Sequence, residues 1–228
     1  MPTTDISSPE NGLDPKKSPQ FSTLPILAWI LVILLIVARI FIFQPVEVNG
    51  NSMLPTTHNG ARWIVEEISA KITPRYQRGQ VIVYCAQTNN CDKDNVFARF
   101  SLTYYIKRVV GLPGESIEIK NSKTIIYNDE NPNGMILSED YIGESVKKTL
   151  DSSNQFDQPL KKIPNDSYFI MGDNRIDSSD SRVFGPVSEK ALLGKVWIQF
   201  WPLTEADAFQ LPNYKNSPYI PETSQTKS

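Results

Sequence analysis

Tyr104-Tyr105-Ile106-Lys107-Arg108-Val109-Val110-Gly111-Leu112-Pro113-Gly114-Glu115 is a run of aromatic and β-branched residues closed by a Gly/Pro turn, the pattern of a β-strand. Successive side chains of a strand take opposite faces, so Lys107 shares a face with Tyr105 and Val109 while Arg108 points the other way. A lysine among such neighbours is desolvated, which lowers its pKa. A shift from about 10.4 to about 8 costs near 3 kcal/mol and raises the neutral fraction at pH 7 from below a thousandth to roughly a tenth. A neutral lysine is a base. The plainer reading of the same residue is an amine that reaches past the sheet edge into water.

On both sides of this stretch the chain repeats the pattern. Val46-Glu47-Val48, Arg62-Trp63-Ile64-Val65, Val81-Ile82-Val83-Tyr84, Ser116-Ile117-Glu118-Ile119, Thr124-Ile125-Ile126-Tyr127, Ser167 to Met171 and Lys195 to Phe200 are short β-branched or aromatic runs bounded by Gly, Pro, Asn and Asp. The expectation is a mainly β domain over residues 44–202. Within it, 128–165 is polar and broken by Pro132, Gly134, Gly143 and Pro159, and reads as an inserted hairpin or loop region. Soluble helix is limited to a turn or two at Glu66 to Lys71 and Ser188 to Leu193, and no internal repeat is present.

Two polar stretches interrupt the strands. In Asn49-Gly50-Asn51-Ser52-Met53-Leu54-Pro55-Thr56, Gly50 permits a tight turn that exposes the Ser52 hydroxyl, the presentation a nucleophile needs. An incidental serine at a strand-to-turn junction is the alternative. The other stretch, Met171-Gly172-Asp173-Asn174-Arg175-Ile176-Asp177-Ser178-Ser179-Asp180-Ser181-Arg182, is dense in hydrogen-bonding side chains directly after a strand. Two arginines among three aspartates suit mutual ion pairing better than a free cation site.

Composition removes several classes. A net charge of -2 without a sustained basic block argues against nucleic acid as a partner. One histidine, His58, and two cysteines, Cys85 and Cys91, do not supply a four-ligand Cys/His metal set, so no metal or cofactor is expected. His58 stands before an Asn-Gly turn and reads as an exposed loop residue. Cys85 and Cys91 flank a turn-rich interval and are spaced to close a hairpin, worth roughly 2 to 3 kcal/mol in an oxidising compartment. Two reduced thiols are the alternative until topology is fixed.

The ends fix the topology. Residues 1–23 are rich in Pro, Ser, Thr and Asp and read as a disordered tail. Residues 24–43 carry one charge, Arg39, and twenty helical residues span about 30 Å, the thickness of a bilayer's hydrocarbon core. The run is too long for a cleaved leader, and no small-x-small cleavage pattern follows it before Gln44-Pro45, so an uncleaved transmembrane anchor is expected. Lys16 and Lys17 place the N-terminus in the cytoplasm and the rest across the membrane, which favours the disulfide. The short tether from Phe43 keeps Ser52 within about 30 Å of the lipid surface. Residues 203–228 are proline-rich and polar and read as a C-terminal tail.

Taken in order, these blocks resemble type I signal peptidases, membrane-anchored serine endopeptidases that use a Ser/Lys dyad. The resemblance rests on a helix, then Ser52-Met53-Leu54-Pro55-Thr56, then Arg78-Gly79-Gln80, then Lys107-Arg108-Val109-Val110-Gly111-Leu112-Pro113-Gly114, and finally Gly172 to Arg175 with Ser178 to Arg182. It implies coiled β-sheets at the membrane surface, with preprotein signal peptides as substrates and lipid as a second partner. Residue by residue it implies Ser52 as nucleophile, Lys107 as general base and Ser178 as the hydroxyl that positions the amine. Asp180 and Arg182 match a structural ion pair behind the site, with Asp173 and Arg108 or Arg175 as further supports. Val48, Met53, Tyr105 and Ile106 match positions lining shallow pockets for small side chains before the cleavage site.

Two residues depart from the pattern. Gln80 stands where many relatives have aspartate. Gly50 stands where many have a serine that helps hold the oxyanion, so the Ser52 backbone N–H is expected as one donor, with the second from a neighbouring backbone N–H such as that of Gly50 or from a bound water. The bacterial plasma membrane and the thylakoid both fit. A soluble self-cleaving Ser/Lys peptidase would have no use for the helix, and a binding module that captures preproteins without cleaving them would not need Ser52 or Lys107.

Overall fold

Short runs of β-branched and aromatic residues form strands wherever the sequence carries them, several of them buried on both faces, and each expected run overlaps one. The computed structural model describes residues 23–41, 43–67, 76–86, 104–152 and 154–219. The chain divides into two units after Ile36. The first holds most of helix α1 (Leu24–Phe41), whose side chains are described through Ile36 and are apolar and exposed. Among the described residues, no helix is long and apolar enough to cross a membrane.

The second unit is mainly β. Its strands are β1 (Phe43–Glu47), β2 (Arg62–Glu66), β3 (Val81–Cys85), β4 (Tyr104–Gly111), β5 (Ser116–Lys120), β6 (Lys123–Tyr127), β7 (Met135–Ile136), β8 (Gln158–Lys162), β9 (Ser167–Met171), β10 (Val187–Ser188), β11 (Leu192–Trp201), β12 (Asp207–Ala208) and β13 (Ser217–Pro218). One antiparallel sheet runs β1-β2-β11-β3-β4-β9-β10 with β12 added to β11, and a second runs β13-β7-β6-β5-β8. Strand β4 is central to the first. It pairs with β3 through Lys107↔Ile82 and with β9 through Arg108↔Met171, with a bulge between Val109 and Gly111.

Three apolar clusters fix that sheet. Val48, Met53, Val65, Val83, Ile106 and Val196 form one; Ile82, Tyr84, Val109, Tyr168, Ile170 and Leu192 form another. The third joins Val110, Phe169 and Met171 of the first sheet to Ile117, Ile119 and Ile126 of the second. Strand β4 contributes to all three, so its backbone is held on every side.

Sequence reading misses some elements. The 128–165 region, expected as an inserted hairpin or loop, carries β7 and β8, which pair with β6 and β5 and not with each other, and helix α2 (Glu144–Asp151). Only Val146 and Leu150 of α2 are buried, a single i,i+4 pair among polar residues and too sparse a stripe to read as amphipathic. Residues beyond Pro202 do not form a free tail up to Tyr219: β12 and β13 extend the two sheets. Two rings anchor the segment, Phe209 edge-on to Trp63 at 6.4 Å and Tyr214 edge-on to Tyr141 at 6.3 Å. The turn expected over Ser188 to Leu193 is one 3-10 turn, Glu189–Ala191, before β11 begins. Of the turn expected from Glu66, residues past Glu67 lie outside the described residues. Cys85 is buried at the end of β3, and Cys91, its expected partner, also lies outside them.

Candidate active site

Ser52 sits in the connection between β1 and β2, which folds into consecutive turns held by Leu54 N–H to Asn51 O at 3.2 Å and Thr57 N–H to Met53 O at 3.1 Å. Its Oγ lies 2.7 Å from Lys107 Nζ. The amine also donates to Ile106 O at 3.0 Å, and Lys107 as a residue is only 3% exposed. Burial lowers the Lys107 pKa to about 8, against the opposing pull of the Asp180 and Asp173 carboxylates, with Arg182 lowering it further. A hydroxyl within hydrogen-bond reach of a largely desolvated amine is the arrangement of a nucleophile beside its base.

Behind the site Asp180 meets Arg182, and of the two arginines offered for Asp173 the structure places Arg108 against it. Asp180 receives Arg182 Nε and Nη2, each at 2.9 Å, together with the Gly172 N–H at 3.0 Å. Burial would raise the Asp180 carboxyl, but these partners outweigh it and hold its pKa below the usual range. Arg108 is the partner of Asp173, through Nε at 2.8 Å and Nη2 at 2.6 Å, and it also reaches Gly79 O at 2.6 Å. Arg175 pairs instead with Glu139, while its Nε holds Gly172 O at 3.1 Å.

Gly172 is where these ion pairs converge on Ser52 and Lys107. A methyl group there would overlap both Ser178 Oγ and Ser52 O, so only glycine allows the turn after β9 to pass against the Ser52 backbone. Ser178 Oγ is buried and makes no hydrogen bond of ordinary geometry, although it lies near enough to Asp180 to add to that carboxylate's stabilisation. The bond expected from Ser178 to the lysine amine is therefore not made here.

Gly50 adopts φ +104, and its N–H is donated to Asn59 Oδ1 at 2.9 Å. That bond takes up one of the two backbone donors expected for an oxyanion and leaves the Ser52 N–H as the candidate. Val48, Met53 and Ile106 are brought together, but as buried members of one core cluster, while Tyr105 is 46% exposed beside Tyr84. A cavity of about 810 Å³ lies beside Arg108, lined in part by Thr56, Tyr141 and Phe209, and includes neither Ser52 nor Lys107. His58 faces Glu205 at 3.4 Å with both side chains well exposed. Gln80 accepts the Gln77 N–H at 2.9 Å and so braces its own turn. Among the described residues, no group of three or more His, Cys, Asp or Glu is placed to hold a metal.

Four residues escape sequence reading. Thr56 donates to Asp173 Oδ2 at 2.5 Å, and Tyr141 lies under the Arg108 guanidinium at 4.1 Å. Glu139 accepts from Arg175, Tyr141 and Thr124. Asn174 bonds the carbonyls of Asn51 and Ser52. Thr56 had a signal in its place four residues after Ser52; Glu139 had none, since its partner is 36 positions away.

Residues 22–201 match the family described as Signal peptidase, peptidase S26. Signal peptidase I P of Bacillus subtilis subsp. natto is 35% identical over 177 residues, 76% of this chain and 85% of that protein. Signal peptidase IB of Staphylococcus aureus (strain COL) is 33% identical over 211 residues, covering 84% and 98%. A solved signal peptidase I from Enterococcus faecalis V583 is 29% identical with a TM-score of 0.39, covering 53% of this chain and 95% of that one. The chain thus belongs to the signal peptidase family, peptidase S26. It is a serine endopeptidase.

Proposed function

We propose that this protein removes signal peptides from exported preproteins, cutting after a small residue with Ser52 as nucleophile and Lys107 as general base. The observation that carries the proposal is the 2.7 Å approach of Lys107 Nζ to Ser52 Oγ in a setting that lowers the amine to about 8. Neutral Lys107 takes the Ser52 proton as Oγ attacks the scissile carbonyl carbon, and the oxyanion is received by the Ser52 N–H. Collapse breaks the C–N bond. Lys107 returns the proton to the departing amine, the new N-terminus of the mature protein, and the signal peptide remains esterified to Ser52. Lys107 then deprotonates water, which hydrolyses the ester and restores the serine, the serine/lysine version of the triad logic.

Around this step Ser178 and the Asp180–Arg182 pair hold the lysine's surroundings, and Arg108–Asp173 and Arg175 hold the two turns together. The substrate adds as an extended strand, with its small side chains directed towards Val48, Met53, Tyr105 and Ile106. Residues 24–43 anchor the enzyme in lipid with the N-terminus cytoplasmic and the peptidase on the far side, as positive charge before the span favours. The test is cleavage of a preprotein by the detergent-solubilised full chain. Ser52→Ala and Lys107→Ala are each expected to abolish it, and cleavage that persists in both would remove the proposal.

A further inference from the structure

The nucleophile's turn is gripped from one side by a single residue. Asn174, just after β9, donates its backbone N–H to Ser52 O at 3.0 Å and its Nδ2 to Asn51 O at 3.2 Å. The Asn51 carbonyl and the Ser52 N–H belong to the same rigid trans peptide unit and point in opposite directions. The same oxygen also accepts the Leu54 N–H at 3.2 Å within the turn, so Asn174 supplies the second donor and, among the described residues, the only one from outside the turn; holding the oxygen from both sides sets the direction of the hydrogen at the other end. Hydrogen bonding at the carbonyl also polarises the shared amide and makes its N–H a stronger donor.

Stability alone does not account for the side chain. The backbone N–H of Asn174 already docks the two turns, and the side-chain Oδ1 is buried with no partner among the described residues, an arrangement that costs stability. The same bond matters more because Gly50 N–H is engaged by Asn59, so the oxyanion depends on the Ser52 N–H.

We infer that Asn174 is a positioning residue for the oxyanion: its side-chain amide holds the Asn51–Ser52 peptide so that the Ser52 N–H faces the oxygen of the tetrahedral intermediate. The inference rests on the proposed reading of Ser52 as nucleophile and its N–H as donor.

Two variants of the full chain test it. Asn174→Ala removes the Nδ2 bond and keeps the backbone bond; Asn174→Asp keeps the shape and offers Asn51 O no donor. Both are expected to lower kcat by about tenfold or more, short of the 10² to 10³ lost with an entire oxyanion donor. KM is expected to stay within about twofold, because the bond acts on the transition state. In Asn174→Ala the acid limb of the pH profile is expected not to move, since no charge near Lys107 changes; in Asn174→Asp the added carboxylate is expected to move it to higher pH, as the neighbouring carboxylates Asp180 and Asp173 already pull it, so kcat for that variant is read on the alkaline plateau. Affinity for a peptide aldehyde, whose Ser52 adduct carries an oxygen at the same place, is expected to weaken in step with kcat. A wild-type kcat in Asn174→Ala overturns the inference, as does a loss of kcat in that variant accompanied by a shifted acid limb or by an equal rise in KM. Should the alanine variant fail to fold, the isosteric aspartate carries the kcat, KM and aldehyde-affinity arms, read above the acid limb, and a wild-type plateau kcat there overturns the inference. The two readings fail separately. Activity in Ser52→Ala defeats the nucleophile assignment whatever Asn174 does, whereas an inactive Ser52→Ala beside a fully active Asn174→Ala defeats this inference alone.

Discussion

Lys107 Nζ lies 2.7 Å from Ser52 Oγ, and burial brings that amine down to about 8. Only the neutral amine accepts a proton, so the protonated fraction sets the acid limb of activity. Plotted against pH, kcat/KM is expected to rise about tenfold per unit below a bend near 8 and to level off above it. A profile flat from about pH 6 to 9, the range bracketing a lysine lowered by burial, would contradict the assignment of Lys107 as base.

Lys107→Arg is expected to be as inactive as Lys107→Ala. Guanidinium stays charged at every working pH and cannot take the serine's proton, however well it fits the strand. Comparing turnover of the two variants on one preprotein checks this, and substantial cleavage by the arginine enzyme would show that another group is the base.

The lowered pKa also has a cost in stability. The unfolded lysine binds its proton up to about 10.4, the folded one only up to about 8, so stability is expected to rise with pH between those values. Below pH 8 the penalty is fully present, on the order of 3 kcal/mol. Lys107→Met, which keeps the length and removes the charge, is expected to unfold at higher denaturant than the parent at pH 7, with the advantage fading by about pH 10.4. Equal midpoints at both pH values would mean that the fold does not lower the pKa of the amine.

Much of this was legible in the chain because β4 carries its own instructions. Alternation alone puts Lys107 and Arg108 on opposite faces, and the aromatic and branched neighbours foretell the buried amine. Ser52 and the Gly172 to Arg182 stretch were legible as polar turns following strands. What bound them together was not. Asp173 had two arginines to choose from, and the register of β4 against β9, which sets Arg108 opposite Met171, decides for Arg108. Glu139 sits in a segment with no strand or helix period, and only the closing of the second sheet carries it to Arg175. The segment after Pro202 looked like a tail because its anchors, Phe209 and Tyr214, are isolated rings whose partners lie far back in the sequence.

Glu139 is almost fully buried, and despite that burial Arg175, Tyr141 and Thr124 hold its carboxyl below the usual range. Glu139→Ala leaves a buried guanidinium uncompensated and is expected to cost about 3 to 5 kcal/mol, measured by denaturant unfolding. Replacing both partners by methionine is expected to recover most of that stability, as apolar replacement of buried pairs often does. Activity is not expected to return with it, because Arg175 Nε also holds Gly172 O beneath the dyad. A double variant with wild-type kcat would confine the pair to a structural role.

Gly50 separates this chain from the pattern in which a side-chain hydroxyl helps to hold the oxyanion. Its φ of +104 lies where a Cβ is strained, although nothing stands within 4 Å of where that Cβ would be. Gly50→Ala is therefore expected to destabilise the turn by roughly 1 to 2 kcal/mol through backbone strain alone, without a clash. The same strain falls on Gly50→Ser, and its side chain would start in open space, away from the packed side of the turn. If the Ser52 N–H already serves the oxyanion, the serine variant is expected to match the alanine variant in both stability and kcat. Measuring the two side by side removes the strain they share. Should Gly50→Ser exceed Gly50→Ala in kcat by more than about tenfold, well inside what one donor can supply, the native site lacks a complete oxyanion hole and the backbone donor is not sufficient.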